Sequence, residues 1–291
     1  MTSKKIEDDN ESWDLVLEPS TNWYSLGLSQ ILRFKDLLFL FVRRDFVSIY
    51  KQTILGPIWF FIQPVITALT YVVIFGLLAD IPTDGVAPLL FYMCGITLWN
   101  YFSDTLSKTA DTFTSNASIF GKVYFPRMIV PLSVVLSNLV KFAIQFALFI
   151  AVWIYYLITD NSVHPTKALL LVPVLILLMG FLGLGFGIII TSMTTKYRDL
   201  KFLVTFGVQL LMYASPIVFP LSLVSEKYPQ YKLLLLANPI TSIVEAFKYA
   251  FLGVGEFNWL YLGYSFVFTL MLFFIGLVVF NKVEKSFMDT V

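Results

Sequence analysis

Long apolar stretches constrain this chain more than any other feature of its sequence. A helix needs about 20 mostly apolar residues to cross roughly 30 Å of hydrocarbon. Six stretches meet or approach that length: Ile58–Ala79, Leu89–Asp104, Ile129–Ile158, Ala168–Met193, Phe202–Pro220 and Trp259–Val279. The second is dilute in apolar residues and would reach only about 24 Å, so we expect it to extend at either end. The sequence predicts an all-α integral membrane protein with six transmembrane helices.

The composition supports this class and excludes others. Hydrophobic residues make up 58% of the chain and charged residues 13%, and the mean hydropathy is +0.79. The one cysteine, Cys94, cannot form an internal disulfide, and the one histidine, His164, cannot build a His-rich metal site. A net charge of +1 gives no overall basic field, so we expect no nucleic-acid partner.

The distribution of positive charge predicts the orientation. Lys and Arg are retained in cytoplasmic connections, and most of the 20 such residues fall there if the N-terminus lies inside. Both termini are therefore expected to be cytoplasmic. Residues 1–12 are polar and acidic and lack the charged-then-apolar pattern of a secretory signal.

Residues 28–57 have the pattern of an amphipathic helix. Between Leu28 and Tyr50 the apolar residues recur on one helical arc, and most of the charged residues fall on the opposite arc. We interpret this segment as a helix in the cytoplasmic interface; a core helix of a small soluble domain is the alternative. The predicted regions are a cytoplasmic tail (1–27), this helix (28–57), the six-span domain (58–281) and a cytoplasmic C-terminal tail (282–291).

Two connections are unusual. Ser107–Pro126 is too polar to span a membrane and too apolar for an idle loop. It is either a short cytoplasmic helix that offers aromatic side chains to a partner protein or a helix on the membrane surface. Leu221–Asn258 is long for a connector, and compact external or re-entrant helices fit it better than a bare loop.

The sequence contains no G-x-x-x-x-G-K-[ST] run that would cradle nucleotide phosphates. If ATP drives this protein, another chain binds the ATP and its Mg²⁺. The glycines of the fourth span are interpreted as packing positions, with Gly183 and Gly187 forming one G-x-x-x-G face. We favour a contact within one protomer over a dimer seam for this face.

Lys141 is the ionisable residue that lies deepest in a predicted span, where it costs about 2.5 to 3.5 kcal/mol. It is either water-lined or interhelical, near Asp104, or it snorkels toward the cytoplasmic surface. No series of carboxylates or histidines crosses the spans, so a proton- or sodium-coupled transporter is poorly supported.

Aromatic residues make up 17% of the chain, and interfacial belts account for most of them. A residual set could line a passage, where flat rings would present apolar surfaces to sugar rings without fixing their sequence. Its members are Tyr71, Tyr92, Trp99 and Tyr213. Such a lining would suit a long polymer.

Several short motifs occur in a specific order. At the first span these are Arg44-Asp45, Tyr50-Lys51-Gln52-Thr53, Leu55-Gly56-Pro57, Trp59 and Gln63-Pro64. Later come Lys122-Val123-Tyr124-Phe125-Pro126-Arg127, Tyr197-Arg198-Asp199, Ser215-Pro216 with Pro220, Asn238-Pro239, and Glu284 with Phe287. From about residue 28 to the C-terminus, the chain resembles the ABC-2 type permeases that export polysaccharides such as O-antigen, capsule and teichoic acid.

The resemblance implies a homodimer of six-span permeases in the bacterial inner membrane, working with two copies of a separate ABC ATPase. A channel at the dimer interface would conduct a lipid-linked polysaccharide, with Lys141 and the four aromatic residues above as its lining. Coupling to the ATPase is carried over to Asn116, Phe120, Lys122, Tyr124 and Arg127, and to Arg44, Asp45, Tyr50 and Lys51. The external gate would comprise residues 222–257 together with Ser215, Pro216, Pro220, Asn238 and Pro239.

Three other interpretations stay open. An ABC-2 permease for lipids or drugs would carry short substrates. An integral glycosyltransferase or acyltransferase would need clustered acidic or histidine residues at a membrane face, yet Asp80 and Asp84 form the only close carboxylate pair in a short connection. A structural anchor for a peripheral complex would leave residues 222–257 without an explanation.

Overall fold

A computed structural model describes residues 28–51, 56–120, 122–123, 125–160, 162–194, 197 and 199–287. Across these ranges the chain is helical and contains no strand, which confirms the all-α prediction. Some residues singled out in the sequence lie outside the described residues or have side chains outside them: residues 1–27, Tyr50, Gln52, Thr53, Leu55, Pro57, Tyr124, Arg198, Glu284 and Phe287.

The predicted amphipathic segment forms two helices, α1 (Leu28–Arg33) and α2 (Lys35–Tyr50). Ile31 and Phe41 are buried against the rest of the protein, whereas Leu32, Phe39 and Leu40 are exposed. The apolar residues therefore serve two faces rather than one. The face turned away from the protein suits contact with lipid at an interface.

Helix α3 (Trp59–Tyr71) follows a 3₁₀ turn at Gly56–Ile58 and continues through π-helical turns at Val72–Leu78. Helix α4 (Pro88–Ala110) contains 23 residues, with a proline in its first turn where no backbone donor is needed. The second predicted span thus extends at both ends, as expected, and reaches about 35 Å.

Helix α5 (Thr112–Phe120) follows α4 directly and is the short helix expected in the Ser107–Pro126 segment. Helix α6 (Ile129–Thr159) contains 31 residues, about 46 Å, which requires tilt or projection into water. A 3₁₀ turn (Lys167–Leu171) leads into α7 (Val172–Thr194).

The fifth predicted span was placed at Phe202–Pro220, and its C-terminal bound was wrong. Helix α8 (Leu200–Tyr213) ends at Tyr213, and residues 214–219 form turns. Pro216 has no N–H to donate and disfavours a helical conformation at Ser215, which explains the early end. Helices α9 (Leu221–Lys227), α10 (Pro229–Leu236) and α11 (Pro239–Leu252) follow, and α12 (Trp259–Phe287) completes the described chain.

Four helical stretches of the described residues are long and apolar enough to cross a membrane: Trp59–Leu78, Ile129–Thr159, Lys167–Thr194 and Trp259–Val283. Helix α4 is more polar than these, and α8 is apolar but short. The number six for the spans therefore stays a prediction.

Helices α4 and α7 form the centre of the bundle, with α6 and α12 packed beside them. A Cβ on Gly183 would lie 3.0 Å from the Phe102 carbonyl oxygen, and one on Gly187 would lie 3.1 Å from that of Leu106. The predicted glycine face therefore packs against α4 in the same chain, which confirms the intramolecular interpretation.

The bundle has two ends, which we name after the predicted orientation. The inner end contains α1, α2, α5 and the last turns of α12, whose rings form a second apolar core. The outer end contains residues 79–87 and 160–166 and helices α9 to α11. The main core lies between the two ends and extends into α11.

Candidate functional site

Helix α5 is held at the inner end by aromatic packing. The Phe113 ring stacks on Phe280 of α12 with centroids 4.9 Å apart, and it also contacts Phe120. The Phe120 ring in turn contacts Phe125, which contacts Phe41 of α2. These rings join the N-terminal helix, α5 and the C-terminal helix into one cluster.

The predicted coupling residues differ in exposure. Asn116 and Phe120 are buried, and the Asn116 amide donates to the Thr112 carbonyl oxygen at 3.0 Å. Arg127 is buried too, with its guanidinium 5.5 Å from the centre of the Phe120 ring. Lys122 alone of these four is exposed. Three of the four are therefore buried between α5 and the rest of the bundle. They hold α5 in position and do not form its outer surface.

The outer surface of α5 consists of other residues. Thr114, Ser115 and Ser118 are exposed on the helix, and Val123 beyond it is 58% exposed. The alternation of these small polar residues with buried Phe113, Asn116 and Phe120 is the signal that could have identified the surface from sequence.

Helix α5 is attached to the bundle by hydrogen bonds and one ion pair. The Phe113 N–H donates to the Thr191 hydroxyl of α7 at 3.3 Å, and the Thr194 hydroxyl donates to the Ala110 carbonyl at 3.0 Å. Asp111, between α4 and α5, pairs with Lys201 of α8 at 2.7 Å. A displacement of α5 would therefore act on α4, α7 and α8 together.

At the membrane entry, Arg44 pairs with its neighbour Asp45 at 2.8 Å. The Arg44 guanidinium also lies 4.6 Å from the centre of the Phe41 ring. Lys51 is exposed at the end of α2. Two residues of the predicted basic edge, Arg44 and Lys51, are thus exposed at the inner end.

A polar cluster joins α4 to α6. Lys141 pairs with Asp104 at 2.6 Å, and their side chains are 17% and 32% exposed. One turn away, the Lys108 ammonium donates to the Asn138 amide oxygen at 2.9 Å. The structure places Lys141 beside Asp104, the interhelical position considered above. Its contact with substrate stays a prediction.

Three of the four predicted lining aromatics lie together. The Tyr71 and Tyr92 rings are perpendicular with centroids 6.1 Å apart, and the Tyr71 hydroxyl lies 3.5 Å from the Met212 sulfur. Tyr213 follows Met212 at the end of α8 and is exposed. Trp99 lies two turns along α4 from Tyr92, and both are buried. Tyr71 and Tyr213 are the two that reach the surface of the chain.

The structure brings the predicted gate residues together. Asn238 donates to the Ala214 carbonyl at 3.1 Å and to the Ser215 hydroxyl at 2.8 Å. Its amide oxygen also accepts the Ile240 N–H and so caps α11. Pro216, Pro220 and Pro239 are buried as well. The turn after α8 is therefore fixed to the start of α11.

Sequence reasoning missed the charged pair within α11. Glu245 and Lys248 are each 1% exposed. The Lys248 ammonium donates to the Pro216 carbonyl oxygen at 2.5 Å and lies 3.8 Å from the centre of the Phe91 ring. Glu245 accepts the Glu256 N–H at 3.0 Å. The signal was present: a Glu and a Lys three residues apart on an otherwise apolar helix.

A second set of polar contacts at the outer end is more exposed. Asp84 accepts from the Ser222 hydroxyl at 2.6 Å, and Glu256 accepts from Lys232 and Ser225. Burial alone would raise the pKa of Glu256. The hydrogen bonds from Lys232 and Ser225 and the Lys232 charge outweigh burial and lower that pKa below its ordinary value.

Comparison with known proteins agrees with this architecture. A family model described as ABC-2 type transporter matches residues 36–252. The chain is 26% identical over 254 residues to an O-antigen export system permease protein RfbA of Klebsiella pneumoniae, covering 87% of this chain and 94% of that protein. A protein of the same name from Myxococcus xanthus is 26% identical over 224 residues, covering 76% of this chain and 82% of its own length.

A further relative is the polysialic acid transport protein KpsM of Escherichia coli, which is 23% identical over 237 residues and aligns over 81% of this chain and 89% of its own. The family match covers well over half of the chain and includes α2 through α11. The four apolar helices fit a membrane-spanning transporter of this kind. This chain is a multi-pass membrane protein that belongs to the ABC-2 type transporter family.

Proposed function

We propose that this chain is the permease subunit of an ABC transporter that exports a lipid-linked, O-antigen-like polysaccharide across the bacterial inner membrane. The observation that carries the proposal is the alignment with O-antigen export permeases over nearly their whole length, 94% in the Klebsiella protein. The polysialic acid transport protein supports the same class of polymeric substrate.

We infer that ATP and Mg²⁺ are bound by a separate ATPase, two copies of which contact the inner ends of a permease homodimer. The exposed face of α5, with Lys122 and Val123, is the proposed contact. Helix α8 supports the homodimer: it is apolar, none of its fourteen residues is buried, and Phe202 and Leu203 are largely exposed. A partner protomer would cover this helix and complete a channel beside Tyr71 and Tyr213.

We also propose six spans with cytoplasmic termini, α4 and α8 being the second and fifth. The contact between the Ser265 hydroxyl and the Pro239 carbonyl supports a re-entrant arrangement of α10 and α11. Ser265 is six residues into α12, so the turn between α10 and α11 lies about 9 Å below the start of that helix.

A polymer much longer than the membrane cannot be enclosed by alternating access. Continuous passage during several ATP cycles is therefore the proposed mode. ATP binding can shift the permease only by as much as it favours one arrangement of the contacting helices. The rings and hydrogen bonds that attach α5 to α4, α7, α8 and α12 would convey that preference.

The test is export by the purified permease and ATPase in proteoliposomes loaded with lipid-linked glycan. We expect glycan to become accessible to an added glycosidase only when ATP is hydrolysed, with a hydrolysis-deficient ATPase as the control. Equal export driven by a proton gradient without ATP would overturn the proposal. ATP-driven efflux of a lipid or drug with no movement of glycan would favour the lipid or drug permease instead.

A further inference from the structure

Helix α11 carries two charges in the interior of the outer end. Every residue of α11 except Tyr249 is buried, including Glu245 and Lys248. Charged side chains persist in such surroundings only when nearby groups compensate them. Their partners therefore show what the pair does.

Glu245 and Lys248 do not form a direct hydrogen bond with each other. Lys248 donates to the Pro216 carbonyl oxygen at 2.5 Å, while its distance to the Glu245 Oε1 atom is 3.7 Å, beyond a hydrogen bond. Glu245 Oε2 accepts the Glu256 N–H. Among the residues that the structure describes, Glu245 Oε1 has no hydrogen-bond partner. The ammonium thus binds a neutral carbonyl while a carboxylate oxygen beside it stays unused.

The two sides of the Lys248–Pro216 contact differ in how firmly they are held. Helix α11 is fixed at its start by the Ser265 hydroxyl on the Pro239 carbonyl, and at its end by the Trp153 indole N–H on the Phe251 carbonyl. Helix α8 has no buried residue, whereas the turn after it is buried at residues 215–218 and also accepts hydrogen bonds from the Asn238 amide. An apolar cavity of about 280 Å³ lies between α8, α4 and α7. Lys248 and Asn238 therefore both attach the end of a loosely packed helix to the well-packed α11.

We propose that Lys248 is a positioning residue of the outer gate and that it exchanges partners as the gate opens. In the closed arrangement it holds the turn after α8 through Pro216. In the open arrangement the ammonium releases Pro216 and moves about 1 Å to form a full hydrogen bond with Glu245 Oε1. The inference rests on the proposed function, because it assigns a regulating contact to the gate of the export channel.

This exchange keeps the buried charge compensated in both arrangements. A carboxylate is the stronger acceptor for an ammonium, whereas the Pro216 carbonyl is the acceptor that holds the helix end. The two members of the pair therefore stabilise opposite arrangements. Lys248 favours the closed gate through Pro216, and Glu245 favours the open gate by receiving the ammonium.

Opposite effects of two substitutions test the proposal. Lys248→Met removes the charged attachment of Pro216 and leaves the two Asn238 hydrogen bonds to the same turn, so we expect the leak of a small entrapped dye without ATP to rise about tenfold. Glu245→Gln keeps that attachment but removes the charged acceptor of the open arrangement. We expect its ATP-driven glycan export to fall about tenfold while its dye leak stays at the wild-type level.

The measurement uses the permease and its ATPase in proteoliposomes, with size-exclusion chromatography to check folding. Lys232→Met, which removes a more exposed cation of the outer end, is the matched control and should leave the leak unchanged. Cys94, the one cysteine of the chain, is buried and gives a second measurement. Its labelling by a membrane-impermeant thiol reagent from outside should increase in Lys248→Met.

If Lys248→Met does not fold, Lys248→Gln provides a second test. Its amide can still donate to Pro216, so we expect a wild-type leak and slow export. Loss of export in Glu245→Gln together with a raised leak would overturn the proposal, as would a wild-type leak in folded Lys248→Met. If wild-type protein shows no ATP-driven export, the proposed function fails, while dye leak and Cys94 labelling still decide the role of Lys248.

Discussion

The inner and outer ends of the bundle both contain charged side chains, but they use them differently. In the inner half, Asp104 and Lys141 lie on two long helices and pair directly at 2.6 Å, partly accessible to solvent. At the outer end, Glu245 and Lys248 lie on one helix, are fully buried and remain 3.7 Å apart. The inner pair joins two helices, whereas the outer pair leaves one member free to hold a third segment.

This difference shows how the pairing of a charge determines its mechanical role. A carboxylate and an ammonium in direct contact across two helices favour a single arrangement, because any separation leaves both unpaired. A pair held just beyond contact can satisfy its charges in more than one way. The inner end is therefore suited to transmit a displacement, and the outer end is suited to respond to one.

The largest effect should come from the aromatic cluster that holds the inner end. Phe120→Ala removes a buried ring that contacts Phe113, Phe125 and the Arg127 guanidinium. We expect a loss of about 3 to 5 kcal/mol, because truncating a packed Phe removes burial and leaves a cavity. The thermal midpoint of the detergent-solubilised protein, followed by tryptophan fluorescence, should fall by roughly 10 °C.

Val123→Ala is the control for the Phe120 substitution, because Val123 is exposed beside the same helix. It should change stability by less than about 0.5 kcal/mol. Val123→Asp should also leave the midpoint unchanged but weaken association with the ATPase in a pull-down. Equal destabilisation by Phe120→Ala and Val123→Ala would contradict the view that Phe120 positions α5 from beneath.

An intermediate effect is expected at the inner charged pair. Lys141→Met leaves the Asp104 carboxylate without its partner and should cost about 1 to 3 kcal/mol, less than a fully buried pair because both side chains are partly solvated. The double variant Lys141→Met with Asp104→Asn should recover most of that stability. The thermal midpoints of the single and double variants measure the coupling.

Measurements of glycan export distinguish a structural role of Lys141 from a role in the channel. If the double variant regains stability and exports glycan at the wild-type rate, Lys141 joins α4 to α6 and does not contact the substrate. If stability returns and export does not, Lys141 has the channel role predicted from sequence. A double variant no more stable than Lys141→Met would show that the two side chains are not energetically coupled.

The helices could be predicted from sequence wherever apolar residues formed long runs. The bounds of α6, and the extension of α4 past its polar residues, followed from length and composition. The end of α8 did not, because the apolar run continues to Pro220 while the helix stops at Tyr213. The helix ends there because Pro216 disfavours a helical conformation at Ser215. An average of hydropathy over the segment does not include this effect.

The sequence indicated which segments carry the candidate functional residues. It was a poorer guide to whether their side chains are exposed. The Ser107–Pro126 segment was correctly predicted to contain a short helix, but Asn116 and Phe120 proved to be interior residues. Exposure depends on which neighbouring helices cover a face, and a single sequence does not specify that. Lys248 was overlooked for a related reason: charge counting treats every Lys in an outer segment as a solvated cation, yet this one contacts Pro216 and Phe91.

The smallest effect should come from the solvated ion pair of the outer end. Glu256 and Lys232 are 2.5 Å apart, with about a third of each side chain exposed. The pKa of Glu256 is lowered in the folded protein, so its stabilisation is present above the unfolded-state pKa of about 4.3 and is lost as the pH falls through the lower folded-state value. Solvent screening limits that stabilisation to a few tenths of a kcal/mol.

Glu256→Gln should therefore lower the thermal midpoint by about 1 °C at pH 7 and by less at pH 4, where the wild-type carboxylate is partly protonated. Lys232→Gln should produce the same small change, because either substitution breaks the same contact. Dye leak should stay at the wild-type level in both. A leak as large as that expected for Lys248→Met would mean that the solvated pair, and not the buried one, holds the outer gate.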